Sequence, residues 1–407
     1  MNASKELGPK NSKIVEDSAW YIFLIFLRLG LTSFGGPVAH IAYFHNEFVQ
    51  RRKWFSDQSY SQIVGLCQFM PGPASSQVGL AIGLSRAGYR GAFAAWFGFT
   101  MPSAIAMTLV AIAYTHFADN DINGLIHGLK IVAVAIIAQA IWGMFRSLCP
   151  DLKRGLIMIS SLLIVSLLAK GFGQITAILI SGVLGVCFLS ADVSSAKPQA
   201  LTSNISKKTG LTFIALFFVL LFGLPLLSSI VTLQSIDHAS SFYRAGSLVF
   251  GGGHVVLPLL EAEVVASGQL SNDTFLMGYG AAQAVPGPLF TFASFIGASL
   301  YDDNMAWFGS ALCLIAIFIP AFLLVAGALP FWQSINNNPN MQTALAGANA
   351  GVVGLLLAVM YDPIWVSTIH NVSDFGLSLA ALIALTYLKL PSWAVVIICG
   401  LFGAVFF

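Results

Sequence analysis

Apolar runs of roughly twenty residues, separated by short polar turns, recur along the 407-residue chain, and runs of that length read as membrane helices. Residues 1–18 are polar, carry Lys5, Lys10 and Lys13, and predict a short cytoplasmic tail. Segment one covers about 19–45 and is broken at Gly35-Gly36-Pro37. Segment two covers 59–84 and is broken at Pro71-Gly72-Pro73. The basic turn Arg51-Arg52-Lys53 separates them, and Arg86 and Arg90 follow. Segments three (91–115) and four (123–147) flank Asp119 and Asp121. Arg146, Lys153 and Arg154 lead into segments five (155–170) and six (174–190). A Ser- and Lys-rich linker (191–210) precedes a clean apolar run at 211–233, and further segments fill 234–407.

The second set of segments repeats the first. Adding 216 carries Arg28 to Arg244, Gly30 to Gly246, Gly35-Gly36 to Gly251-Gly252, Glu47 to Glu263 and Asp57 to Asp273. After one deletion, adding 215 carries Gln68 to Gln283 and the first Pro-Gly-Pro to Pro286-Gly287-Pro288. Further on, Pro102 answers Pro320. One matched glycine pair is easily a coincidence; this ordered series is not. The first repeat is therefore 19–190 and the second 234–407, joined by an extra transmembrane helix at 211–233.

Parity sets the relative orientation. Six segments per half plus one connecting helix turn the second half over relative to the first. If both broken segments of a half enter and leave from one side, nearly all loop Lys and Arg fall in the cytoplasm, and only Lys170 falls outside. The outward loops then carry Asp119, Asp121, Asp237, Asp302, Asp303 and Asp362. The expected fold class is an all-α polytopic membrane protein of two inverted-topology repeats with broken or re-entrant helices, its amino terminus cytoplasmic.

Matching breaks in two halves are the strongest sequence pointer to a transporter's binding site, because broken backbone at membrane depth must be buried or line a cavity. Gly35-Gly36 and Gly251-Gly252 offer backbone N–H groups, and a half-helix starting there points its positive end at an anion; close helix packing would also explain the glycines. The two Pro-Gly-Pro turns delete two donors each and demand a break. Gln68 and Gln283 lie three residues before them. An Arg at the depth of Arg28 costs about 2.5–3.5 kcal/mol on insertion scales, so it faces a cavity or a partner. Arg28 and Arg244 each bring a planar fork suited to an oxyanion. The substrate-binding set is thus Arg28, Gly35, Gly36, Gln68, Pro71, Gly72, Pro73 and their counterparts Arg244, Gly251, Gly252, Gln283, Pro286, Gly287 and Pro288.

Five more residues are candidates for proton or charge coupling: His40, Glu47, Lys130, His254 and Glu263. His40 and His254 are not equivalent, since the offset places Val256 opposite His40 and Val38 opposite His254. For four of them the favoured readings are a packed, hydrogen-bonded histidine and a loop-facing carboxylate. Lys130 stands inside segment four, opposed by Asn349 in the repeat.

Composition narrows the class. Hydrophobic residues make up 57% of the chain and charged ones 9%, where soluble proteins carry about a quarter charged. A net charge of +2 gives no reason to expect a nucleic-acid partner. Five cysteines share no ligand spacing and read as packing residues; no metal or other cofactor is called for. HExxH, GxxxxGK[ST] and GxSxG are all absent from the sequence, so no catalytic residue is assigned, and uphill transport would draw on an ion gradient.

FGGPVAH at 34–40, RRKW at 51–54, QFMPGP at 68–73 and SRAGYRG at 85–91, with their echoes in the second half, resemble the chromate ion transporter family in its long, duplicated form. The resemblance implies chromate, or a sulfate-like oxyanion, as substrate, moved outward across the cell (inner) membrane to give chromate resistance. Partners are then the anion and the lipid bilayer, with a homo-oligomer left open. Gly253 stands where Pro37 stands in the first copy, so the two halves need not contact substrate equally.

Overall fold

The computed structural model describes residues 18–117, 123–168, 172–190, 205–250, 253–336 and 338–406. Expectations for the tail 1–17, for Asp119, Asp121 and Lys170, and for most of the linker fall outside these residues. The described chain is helical throughout, and five of its helices are long and apolar enough to cross a membrane.

The first repeat opens with α1 (Ala19–Thr32) and α2 (Gly36–His45), then α3 (Asp57–Phe69) and α4 (Ala74–Phe117). A single turn of irregular backbone separates α1 from α2, and another separates α3 from α4. Phe26 packs on Phe44 and Phe48, and Arg52 donates to the Tyr21 hydroxyl, so the chain returns beside its own start. α1 and α2 are therefore an antiparallel hairpin whose tip is the glycine pair. α3 and the first arm of α4 form a second hairpin whose tip is Pro71-Gly72-Pro73; Arg86 reaches back over the Trp54 ring at 4.7 Å. At Ala87 (φ −141°) and Gly88 (φ 61°) the chain bends sharply and α4 runs on to Phe117 as a second arm. The sequence reads 59–84 and 91–115 as separate segments, and the bend is what separates them.

Next come α5 (Asn123–Leu148), α6 (Leu152–Leu167) and α7 (Phe172–Phe188). The connecting helix α8 (Lys207–Ile230) starts four residues before the apolar run, because the Ser206 hydroxyl accepts the Thr209 N–H and caps it. The second repeat rebuilds the pattern: α9 (Gln234–Leu248), α10 (Val256–Leu260), α11 (Asn272–Ala284), α12 (Phe292–Ser299) and α13 (Ala306–Ala328). After the short α14 (Trp332–Asn336) come α15 (Pro339–Val359), α16 (Val366–Thr368), α17 (Val372–Thr386) and α18 (Ser392–Phe406). Its hairpin bases meet at His238, which bonds Gln269 at 3.0 Å and Tyr301 at 3.1 Å.

The repeats interlock. α5 of the first packs on α17 and α18 of the second, while α15 of the second packs on α6 and α7 of the first. Both contacts need a missing side chain: a Cβ on Gly128 would lie 2.2 Å from the Cys399 carbonyl oxygen, and one on Gly347 2.2 Å from that of Ser181. Small residues let membrane helices approach at backbone distance.

The second arm of α4 measures the molecule. It leaves the first repeat's hairpin bases at Tyr89 and rises about 1.5 Å per residue for about 40 Å. There Thr115 and His116 meet Asp303, beside the second repeat's bases, at 3.2 and 3.5 Å. Arg51, Arg52 and Arg86 gather at one end of this arm and Asp303 at the other.

Candidate functional site

The described parts of the hairpin tips come together beside Phe99 and Ser103, midway along the second arm of α4. The N–H of Gly72 donates to the Val249 carbonyl at 2.7 Å, and that of Gly287 to the Ser33 carbonyl at 2.9 Å. Ser33 and Val249 are equivalent under the 216 offset, as are Gly72 and Gly287 under 215. Each Pro-Gly-Pro turn of one repeat thus closes on the glycine break of the other. The turns require glycine: φ is 125° at Gly72 and 106° at Gly287, a region that side chains with a Cβ rarely enter. Gly253 packs on Pro37, its missing Cβ 3.2 Å from the proline Cγ, which joins the two glycine breaks.

The sequence-derived residues divide around this centre. Gly72, Pro73 and Pro288 are buried in it, with Pro71, Pro286 and Gly287 half-buried at its rim. Gly35 (φ 100°) and Gly36 (φ 76°) open the α2 half-helix; Gly35 is exposed, and nothing stands within 4 Å of where a Gly36 side chain would begin. Gly251 and Gly252 lie outside the described residues. Gln68 is exposed one turn before its Pro-Gly-Pro. Gln283 is half-buried, and its backbone carbonyl accepts the Ser392 hydroxyl at 3.3 Å. Nearby, Phe34 packs on Trp393 with ring centroids 6.1 Å apart, so the start of α18 also reaches the tips.

The arginines are not alike. Arg244 makes a fork-to-fork pair with Glu263 at 2.7 and 2.6 Å. In the first repeat Glu47 is taken by Arg52 at 2.6 Å and Arg51 at 3.1 Å. Arg28 is exposed on α1 and has no side-chain partner among the described residues. Lys130 gives its ammonium to Asp273 at 2.7 Å, at the second repeat's bases rather than at the tips.

His40 is at the centre and His254 beside it. His40 is 1% exposed, with Nε2 3.2 Å from the Ser33 carbonyl and Nδ1 3.3 Å from the Ser75 hydroxyl. The Phe99 ring packs against its face. His254 pairs through Nδ1 with the Tyr279 hydroxyl at 2.8 Å.

Sequence reasoning missed the hydroxyls. Ser33, Ser76 and Thr100 are 0–2% exposed, and their oxygens have no hydrogen-bond partner; nor has Oε1 of Gln77. Gln77 Nε2 donates to the Pro71 carbonyl at 2.7 Å, which fixes the amide and leaves Oε1 as the open acceptor. A buried polar group without a partner costs about 1–3 kcal/mol, so each of these calls for a ligand or a water. The only signal in the sequence was their nearness to Pro-Gly-Pro and to Pro102.

Two sets of broken helices whose ends meet inside an apolar bundle, with buried hydroxyls beside them, fit a membrane transport protein by class. A sequence profile of the chromate transporter family matches the chain twice, over residues 20–186 and 236–404, and the chain belongs to that family in its duplicated form. The probable chromate transport protein of Synechococcus elongatus is 27% identical over 94% of each chain. The chromate transport protein of Pseudomonas aeruginosa is 27% identical over 84% of this chain and 80% of its own. That of Cupriavidus metallidurans is 24% identical over 90% of this chain and 87% of its own. No solved structure matches this chain.

Proposed function

We propose that the protein is a secondary transporter of chromate or a sulfate-like dianion, driven by an ion gradient and working outward across the inner membrane. The observation that carries this reading is the reciprocal pair Gly72–Val249 and Gly287–Ser33, which brings the breaks of both repeats to one level. A site between two halves suits alternating access, because rocking one repeat against the other exposes it to either side. The relatives' names supply the anion, and membership of a transporter family supplies the class. The basic end of α4 is read as cytoplasmic by the positive-inside rule. Arg28, exposed and unpaired among the described residues, is the charge that offsets the dianion's desolvation as it approaches the tips.

Purified protein in lipid vesicles tests the reading. Chromate flux that saturates and responds to an imposed proton or sodium gradient is expected, with sulfate competing. Flux that stays linear and ignores both gradients would replace the transporter by a passive anion pore, and vesicles without flux would sink both.

A further inference from the structure

The tips are symmetric in backbone and asymmetric in side chain. The repeat offsets place Val249 opposite Ser33, Val256 opposite His40 and Phe318 opposite Thr100. They place Phe290, Thr291 and Phe292 opposite Ser75, Ser76 and Gln77. The second-repeat residues are all buried, and Thr291 has its hydroxyl engaged by the Pro288 carbonyl at 2.8 Å. At these positions the first repeat presents hydroxyls, imidazole and amide, and the second presents hydrocarbon except at Thr291. Among the described residues beside this Pro-Gly-Pro, Gln283 Nε2 and the Ser294 hydroxyl have no partner, Ser294 lying six residues beyond Pro288 on α12.

We infer that the oxyanion is held by the first repeat alone, in a cradle of the Ser33, Ser76 and Thr100 hydroxyls at the amino end of α4. This rests on the proposed transport of an oxyanion and assigns residues to its site. The first arm of α4 runs from 74 to 86, and its leading N–H groups have no partner within the helix. They point toward the turn that Gln77 clamps through Pro71. Hydroxyls at the side complete a donor set for a tetrahedral anion, and their lack of any partner is the second observation that points to a ligand. His40 bridges Ser33 and Ser75 and so positions the two sides of the cradle. Gln77 Oε1, held as an acceptor, takes a water beside the anion. The apolar positions of the second repeat are the surface that slides past the loaded cradle; beside its Pro-Gly-Pro, the donors left without a partner among the described residues are Gln283 Nε2 and the Ser294 hydroxyl.

The test uses the full-length protein with Ser33→Ala, Ser76→Ala and Thr100→Val, and Ser294→Ala as the second-repeat control. Chromate flux in vesicles and chromate binding to detergent-solubilised protein are both measured, with thermal unfolding to monitor the fold. Each first-repeat change is expected to weaken chromate binding by about tenfold, as one lost hydrogen bond to a charged ligand does, with unfolding temperature unchanged or raised. Ser294→Ala is expected to bind as the unaltered protein does. Unchanged binding in all three first-repeat variants overturns the inference, as does an equal loss in Ser294→Ala or an unaltered protein that binds no chromate. Intact binding without flux overturns the transport reading and leaves the cradle standing.

Discussion

The two repeats share a backbone plan and use it differently. In the second, Arg244 is locked to Glu263 and the tip is lined by Val249, Val256, Phe290 and Phe292. In the first, Arg51 and Arg52 capture Glu47, Arg28 is left unpaired among the described residues, and the tip is lined by Ser33, His40, Ser75 and Gln77. Both copies supply interlocking hairpins, and on the reading proposed above the first is the binding surface and the second its counter-surface. A basic turn separates the ion pairing of the two copies. RRK at 51–53 is opposed in the second repeat by Ser267, Gly268 and Gln269 under the same offset, so nothing there competes with Arg244 for its glutamate.

The largest expected effects lie at the carboxylates. Glu263→Gln leaves the half-buried Arg244 facing a neutral amide, and removing one partner of a buried pair costs about 3–5 kcal/mol. The Arg244 side chain keeps 31% of its exposure, so the expected loss is at or below the lower end of that range. Glu47→Gln takes the carboxylate from Arg52, whose side chain is 19% exposed, and from Arg51, at 57%, and Glu47 is itself 9% exposed, so the expected loss is about as large as at Glu263. Unfolding in detergent, followed by temperature or denaturant, reads both. A large loss at Glu263 beside a negligible one at Glu47 would show that water at the basic end screens the first pair despite its burial.

A smaller effect sharpens the symmetric part. Gly72→Ala and Gly287→Ala each force a Cβ into a left-handed turn, costing about 1–2 kcal/mol. The new carbon would stand 2.6 Å from Gln77 Nε2 in one case and 2.7 Å from Ser103 Oγ in the other. Both variants should lose stability by similar amounts and lose most chromate flux, since each turn closes on the opposite repeat. A large effect at one glycine and none at the other would show that only one crossing bond matters.

Much of this was legible in the chain and some was not. Glycine pairs and Pro-Gly-Pro triplets announce broken helices because their backbone chemistry is local. Their ordered recurrence announces duplication for the same reason. The crossing of Gly72 to Val249 could not be read, since nothing local to either residue names the other. Arg244 and Glu263 were both singled out, and their pairing follows from the hairpin that brings positions 19 apart together. The same logic applied to Arg28 and Glu47 fails, because Arg51 and Arg52 reach the glutamate along a shorter path. Ser76 and Thr100 passed unnoticed because helical hydroxyls usually bond a carbonyl one turn back, as Thr108 does with Ala104.

The finest test of the asymmetry lies at the arginines. Arg28 is exposed and has no side-chain partner among the described residues, so Arg28→Ala should change stability by no more than about 0.5 kcal/mol. Arg244→Ala should destabilise the protein, because Glu263 is then left without its fork. Chromate flux should fall in Arg28→Ala by about tenfold, the loss of one charge-assisted contact to the anion. Arg28→Lys keeps the charge and loses the planar, bidentate fork, so its apparent affinity for chromate should fall only severalfold. Flux and unfolding must be measured on the same preparations, since a folding defect would mimic a transport defect. If Arg28→Ala and Arg28→Lys both transport with normal affinity, the unpaired guanidinium plays no part in drawing the anion in, and the cradle hydroxyls and helix amides must hold the dianion unaided.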